Sequence, residues 1–284
     1  MKWQGRRGSG NIQDRRGMGV GMGRALPIGG GIGGIVVLLL VSALTGTNPL
    51  DLINAGGGVP GGGAGTAGVP EDDPQAQFIS VVLADTEDTW GQVFQQQGAR
   101  YQPPTLVLFT GATQSACGVG REEMGPFYCP ADQNVYLDLS FFQQLDQQFG
   151  APGDFAQAYV VAHEVGHHIQ TITGLSEQVM GARQRAGSEA EANALSVRQE
   201  LQADCYAGVW GYYAGQRGLL ESGDAEEGLR AAAAIGDDTL QRQAQGRVVP
   251  ESFTHGSSEE RMRWLRRGLE SGNIDACNTF ASGS

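Results

Sequence analysis

The stretch AHEVGHHI, residues 162–169, holds three of the four histidines in this 284-residue chain, and no other segment constrains the fold as tightly. On a helix, His163 and His167 are four residues and about 400° apart, so they share one face, one turn apart. Two neutral imidazoles so placed can close on one zinc ion at about 2.0–2.1 Å. Glu164 stands about 100° round from His163, off the ligand axis but within reach of a water at the metal. This is the H-E-x-x-H pattern, in which the glutamate is the general base. His168 turns about 100° away from His167 and reads as a packed or exposed polar residue. Gly166, lacking a side chain, would let substrate or a neighbouring strand approach.

Two imidazoles do not complete a zinc site. The extended pattern H-E-x-x-H-x-x-G-x-x-H is excluded, because Gln170 and Thr173 occupy the positions that need glycine and histidine. His255, the remaining histidine, or a carboxylate must supply the third ligand. Glu200-Leu-Gln-Ala-Asp204 places two carboxylates at i, i+4 on a helix, an unfavourable pair without a reason. A metal offers one: a first carboxylate ligates, and the second accepts the N–H of a ligating histidine and fixes its tautomer.

HEVGH followed after about thirty residues by ELQADCYAG resembles the gluzincin arrangement of bacterial putative neutral zinc metallopeptidases. The basic N-terminal arm, the hydrophobic stretch after it, the THGSSEER segment and the late cysteine are similar as well, so the likeness covers nearly the whole chain. It implies a zincin-like domain in which His163, His167 and Glu200 hold Zn2+, Glu164 is the base and Asp204 stands behind the metal. It also implies peptide or protein substrates. His255 precedes a helix N-cap at Ser257 and reads either as a structural donor in that turn or as a donor to the oxyanion of peptide hydrolysis, a role for which Tyr206, Tyr212 and Tyr213 compete. The alternative to an enzyme is a non-catalytic, membrane-tethered scaffold with a structural zinc, against which the base at Glu164 argues.

Charge is unevenly spread. Residues 1–24 carry Lys2, Arg6, Arg7, Arg15, Arg16 and Arg24 against Asp14 alone, whereas the whole chain has a net charge of −12. The acidic body disfavours nucleic acid as a partner. Residues 25–44, ALPIGGGIGGIVVLLLVSAL, carry no formal charge and as one helix would span about 30 Å, the hydrocarbon thickness. The positive-inside rule then makes 1–24 a cytoplasmic arm and 25–44 a single transmembrane helix. The rival is a cleaved signal peptide, since Val41-Ser42-Ala43 resembles a small-residue cleavage site, but a 24-residue basic arm is long for one. Gly/Pro-rich residues 45–76 become a linker, and 77–284 an extracytoplasmic metallopeptidase domain at a bacterial cell membrane. Four cysteines fit an oxidising compartment, and the expected pairing is Cys117–Cys129 with Cys205–Cys277. Cys205 is five helix steps from Glu200, which turns its sulfur away from the metal face.

Within the body, helices are expected at 77–98, 140–149, 154–172, 196–216, 224–242 and 257–269. The helix at 196 has a Ser196-x-x-Gln199 capping box. Short strands are expected at 105–110 and 134–139, with 117–129 a loop between them. Residues 175–193 read as a mobile helix and loop that could lie over the cleft. Short strands followed by a run of helices give an α+β class, mostly helical with a small sheet.

Overall fold

A computed structural model describes residues 1–17 and 66–281. The α+β expectation holds: a small mixed sheet lies against a larger helical layer. Its strands are β1 (Ile12–Asp14), β2 (Thr66–Ala67), β3 (Thr105–Phe109), β6 (Phe127–Cys129) and β7 (Asn134–Asp138), in the order β2-β1-β3-β7-β6. The pairs β1–β3 and β3–β7 are parallel, while β2 and β6 run antiparallel along the two edges. A separate hairpin joins β4 (Ala112–Ser115) to β5 (Gly118–Arg121).

The apolar run Leu106-Val-Leu-Phe109 is buried because both faces of β3 are covered. Leu106 and Leu108 enter the main core, whereas Val107 and Phe109 join Cys129 and Tyr136 in a smaller cluster on the other face. The Cys117–Cys129 disulfide adjoins that smaller cluster. The segment expected as a plain loop therefore contains β5 and β6. Each is only three or four residues long, too short for an alternating pattern to register in a Gly-rich sequence.

The helical layer comprises α1 (Pro74–Gln96), α2 (Ser140–Gln147), α3 (Asp154–Ile172), α4 (Leu175–Gln184), α5 (Glu189–Gln216), α6 (Asp224–Ala234), α7 (Asp237–Gln245) and α8 (Ser258–Ser271). Helix α1 starts where the Asp73 side chain accepts from the Ala76 N–H, with Pro74 at its first position. Helix α3 is central, packing against α1, α5 and α6, so it is apolar around most of its circumference. The capping box at Ser257 and Glu260 opens α8 as expected. Helix α5 begins seven residues earlier than the Ser196 reading: Ser188 is the cap and Ser196 is buried inside the helix, bonded back to the Ala192 carbonyl. The expected helix 224–242 is broken at Gly236, where a Cβ would lie 2.4 Å from the Ser258 nitrogen.

The N-terminal arm is a correction. Residues 1–17 are part of the domain: β1 lies between β2 and β3, and the Ser9 N–H donates to the Ser80 carbonyl at 3.0 Å. Its arginines pair with carboxylates of the same domain, Arg7 with Asp88 at 2.8 Å and Arg16 with Asp73 at 2.6 Å. Their charge therefore answers the acidic body directly and does not mark the far side of a membrane. The proposed span 25–44 lies outside the described residues, and among the described residues no helix is long and apolar enough to cross a membrane. The single-pass topology, with its transmembrane helix, cytoplasmic arm and extracytoplasmic body, is accordingly set aside.

Helices α5 and α8 meet backbone to backbone. A Cβ on Gly208 would lie 2.2 Å from the Leu265 carbonyl oxygen, and one on Gly268 would lie 2.0 Å from that of Cys205. The Cys205–Cys277 disulfide ties the same region to the C-terminal segment. Gly208→Ala is expected to destabilise the protein by about 1–3 kcal/mol or more, read by urea denaturation, because neither helix backbone can yield without moving the other.

Candidate metal centre

Helix α3 presents His163 and His167 to helix α5, which presents Glu200. The His163 Nε2 lies 3.2 Å and the His167 Nε2 3.5 Å from Glu200 Oε2, and the two rings stand 4.8 Å apart, nearly perpendicular. One donor atom from each of these three side chains falls within 4.8 Å of the others. The helices can approach this closely because of Gly166: a Cβ there would sit 3.0 Å from the Ala203 carbonyl oxygen and 3.1 Å from its Cα. Gly166 thus admits a helix, and neither substrate nor a strand occupies that space.

Each histidine is held by its other nitrogen. His163 Nδ1 lies 2.8 Å from Asp204 Oδ1. His167 Nδ1 lies 2.9 Å from Gln170 Oε1, whose amide nitrogen donates to the Gln199 carbonyl at 2.7 Å and to Gln202 Oε1 at 3.1 Å. With the Gln170 amide oriented by those two donations, its oxygen must accept from His167 Nδ1–H. Both histidines therefore turn Nε2 towards Glu200, which accepts its proton in the metal-free protein. With Nδ1–H held elsewhere, Nε2 is the nitrogen left to ligate a metal that displaces that proton. The donor set fits a zinc ion: two imidazole nitrogens and one carboxylate, with the histidine orientation already fixed.

Behind His163 lies a charged network. Asp204, fully buried, accepts from Tyr159 Oη–H at 2.6 Å, from Arg261 Nε at 2.9 Å and from Arg261 Nη2 at 3.0 Å. Arg261 also donates to the Ile235 carbonyl. Burial would raise the Asp204 carboxyl, but Arg261 and His163 outweigh it and hold it down at about 2. Burial likewise opposes a proton on His163, yet Asp204 and Glu200 lift it to about 10 in the metal-free protein. Glu164 is buried next to the cluster, and burial raises its carboxyl pKa against the opposing pull of His167 and His163.

Burial would raise the Glu200 carboxyl, but His167 and His163 hold it well below the usual carboxylate range, and His255 lies near enough to add a smaller pull. Its Nδ1 is 3.2 Å from Asp237 Oδ1, while the other Asp237 oxygen accepts the backbone N–H groups of Thr254, His255 and Gly256. His168, by contrast, is fully buried between Tyr128 Oη at 3.1 Å and the Gln102 carbonyl at 2.7 Å, joining α3 to β6 and to the segment before β3. Tyr206 packs edge-on against Trp90 and Tyr212 stands against Gly272, both in structural positions. Of the residues not singled out from sequence, Gln170 and Tyr159 lie three and four residues from His167 and His163, a spacing that places each on its histidine's face. Arg261 is one of four arginines on α8, and Asp237 lies in a broken helix, so neither carried a signal.

The model of one protein family, described as putative neutral zinc metallopeptidase, matches residues 1–280. The chain belongs to that family. Among curated relatives, the uncharacterized protein YpfJ of Escherichia coli (strain K12) is 51% identical over 285 residues, covering 99% of each chain. Uncharacterized proteins of Mycobacterium bovis and Mycobacterium tuberculosis (H37Rv) are 42% identical over 218 residues, covering 72% of each chain. No solved structure matches. The family's description implies zinc, in agreement with the donor set of His163, His167 and Glu200.

Proposed function

We propose that this protein is a zinc-dependent peptidase in which His163, His167 and Glu200 hold the ion and Glu164 is the general base. The observation that carries the reading is the donor cluster with both histidine tautomers fixed and a buried carboxylate, Glu164, next to it. Among the described residues the cluster has three members, whereas structural zinc sites close with four protein ligands. That count favours a catalytic site over the scaffold reading.

A zinc ion held there would supply Lewis acidity to a water molecule and to the scissile carbonyl. Glu164 takes the proton from that water and delivers it to the departing amine, and its raised carboxyl suits both directions of transfer. Asp204 keeps the His163 ring in place, and Arg261 keeps Asp204 charged. His255, steadied by Asp237, donates to the oxyanion that forms from the carbonyl oxygen.

The test is zinc quantification combined with peptide-library cleavage on the full chain. Glu200→Ala is expected to weaken zinc binding by at least tenfold, with cleavage lost in step. Full zinc occupancy of this variant after dialysis would remove Glu200 from the ligand set.

A further inference from the structure

The hydrogen bonds behind His167 do not end at Gln170. The Gln170 amide nitrogen donates to Gln202 Oε1, and Gln202 Nε2 donates in turn to the Cys277 carbonyl at 3.1 Å. All three residues are buried. A Gln202 amide turned over would set its nitrogen against that of Gln170 and its oxygen against a carbonyl, so its orientation rests on Cys277. That carbonyl is kept on α5 by the Cys205–Cys277 disulfide, and two residues further on the Thr279 hydroxyl donates to the Arg198 carbonyl at 2.6 Å. Arg198, Gln202 and Cys205 stand at i, i+4 and i+7 on one face of α5, with Gln202 between the two ties. His163 is supported differently: Asp204 takes its other bonds from Tyr159 and Arg261, neither of which belongs to the C-terminal segment.

We propose that Gln202 is a positioning residue for His167 and that its setting depends on the Cys205–Cys277 disulfide, so that reducing this bond weakens zinc binding. A dithiol reductant suffices. Its first thiolate attacks one sulfur and forms a mixed disulfide, and its second thiolate releases the chain. Two cysteine thiols remain on the protein, and the reductant leaves as a cyclic disulfide. The Cys277 carbonyl is then no longer held against α5, and the Gln202 amide loses its acceptor. Gln170 keeps the Gln199 carbonyl, so the loss is partial. The proposal rests on the zinc ligands proposed above and not on peptide hydrolysis.

Zinc competition titrations on the full chain test it, before and after dithiol reduction of the metal-free protein, with the reductant removed under nitrogen. Reduction is expected to raise the zinc Kd about fivefold, the worth of one hydrogen bond, and the thiol-free variant Cys205→Ala, Cys277→Ala to match it. Gln202→Leu with the disulfide intact is expected to show the same rise, and reducing that variant to add nothing. A Kd unmoved by reduction or by Gln202→Leu, or two effects that simply add, overturns the proposal.

The cobalt-loaded chain gives a second readout, because its visible spectrum follows ligand geometry. The spectrum is expected to shift alike in Gln202→Leu and on reduction. An unchanged spectrum beside a raised Kd means that Gln202 acts on stability alone and overturns the positioning role. If reduction abolishes the far-ultraviolet circular dichroism, the disulfide serves the whole fold and the redox dependence falls, while Gln202→Leu still decides the positioning role. Glu200→Ala separates the two readings. If it binds zinc as the wild type does, the ligand set falls and the proposal with it. If it loses zinc while reduction has no effect, only the proposal falls.

Discussion

Glu164→Gln is expected to lower peptide hydrolysis by about 10²–10⁴-fold while zinc content stays that of the wild type. Glutamine has nearly the shape of glutamate, so the packing of α3 against α5 is kept. It cannot take a proton from water at neutral pH. Glu164 is absent from the donor cluster of His163, His167 and Glu200, so removing its charge takes no ligand from the ion. The measurement pairs metal analysis with single-turnover cleavage of a peptide that the wild type hydrolyses. Cleavage at the wild-type rate would end Glu164's role as base. Loss of zinc would instead place Glu164 among the ligands.

The second large effect is expected away from the metal. Arg261→Met removes the cation that faces Asp204 and leaves a fully buried carboxylate with only Tyr159 and His163. Removing one partner of a buried pair typically costs about 3–5 kcal/mol. Loss of the group that supports a metal-ligating histidine typically weakens metal binding about 10–100-fold. The acid limb also moves. Because Asp204 is held at about 2, below its ordinary value, its contribution to stability is present at neutral pH and lost as pH falls through that region. With Arg261 gone the depression shrinks, so acid unfolding should begin at higher pH. Chemical denaturation at neutral pH, a zinc competition titration and an acid titration read the three effects. A stability loss below about 1 kcal/mol would show that Asp204 does not depend on Arg261. The double variant Arg261→Met, Asp204→Asn should recover part of the loss, since no charge is then left buried alone.

The site was legible where its chemistry follows helical spacing. His163, Glu164 and His167 are fixed by one turn of helix, and Glu200 and Asp204 by another. Sequence left three pairings of the four cysteines open, and the expected one, Cys117–Cys129 with Cys205–Cys277, is the one the structure holds. What sequence concealed depends on long-range contacts. Arg261 reaches Asp204 across 57 positions, and only the crossing of α5 and α8 at Gly208 and Gly268 brings them together. The largest error came from reading charge locally. A cluster of arginines before an apolar run is a topological signal only if nothing folded neutralises it, and here Asp73 and Asp88 do.

The place of β1 in the sheet also bears on how the chain must be handled and how it assembles. Its parallel neighbour β3 follows some ninety residues later in the chain, so the pairing closes a long loop and must wait for it. Trimming the chain to begin at residue 77, the apparent start of the body, would strip β1 and β2 from the sheet. It would leave the backbone of β3 as a bare edge open to self-association, beside the gap left by Ile12. The first seventeen residues therefore belong to the smallest unit that can be expected to fold cleanly.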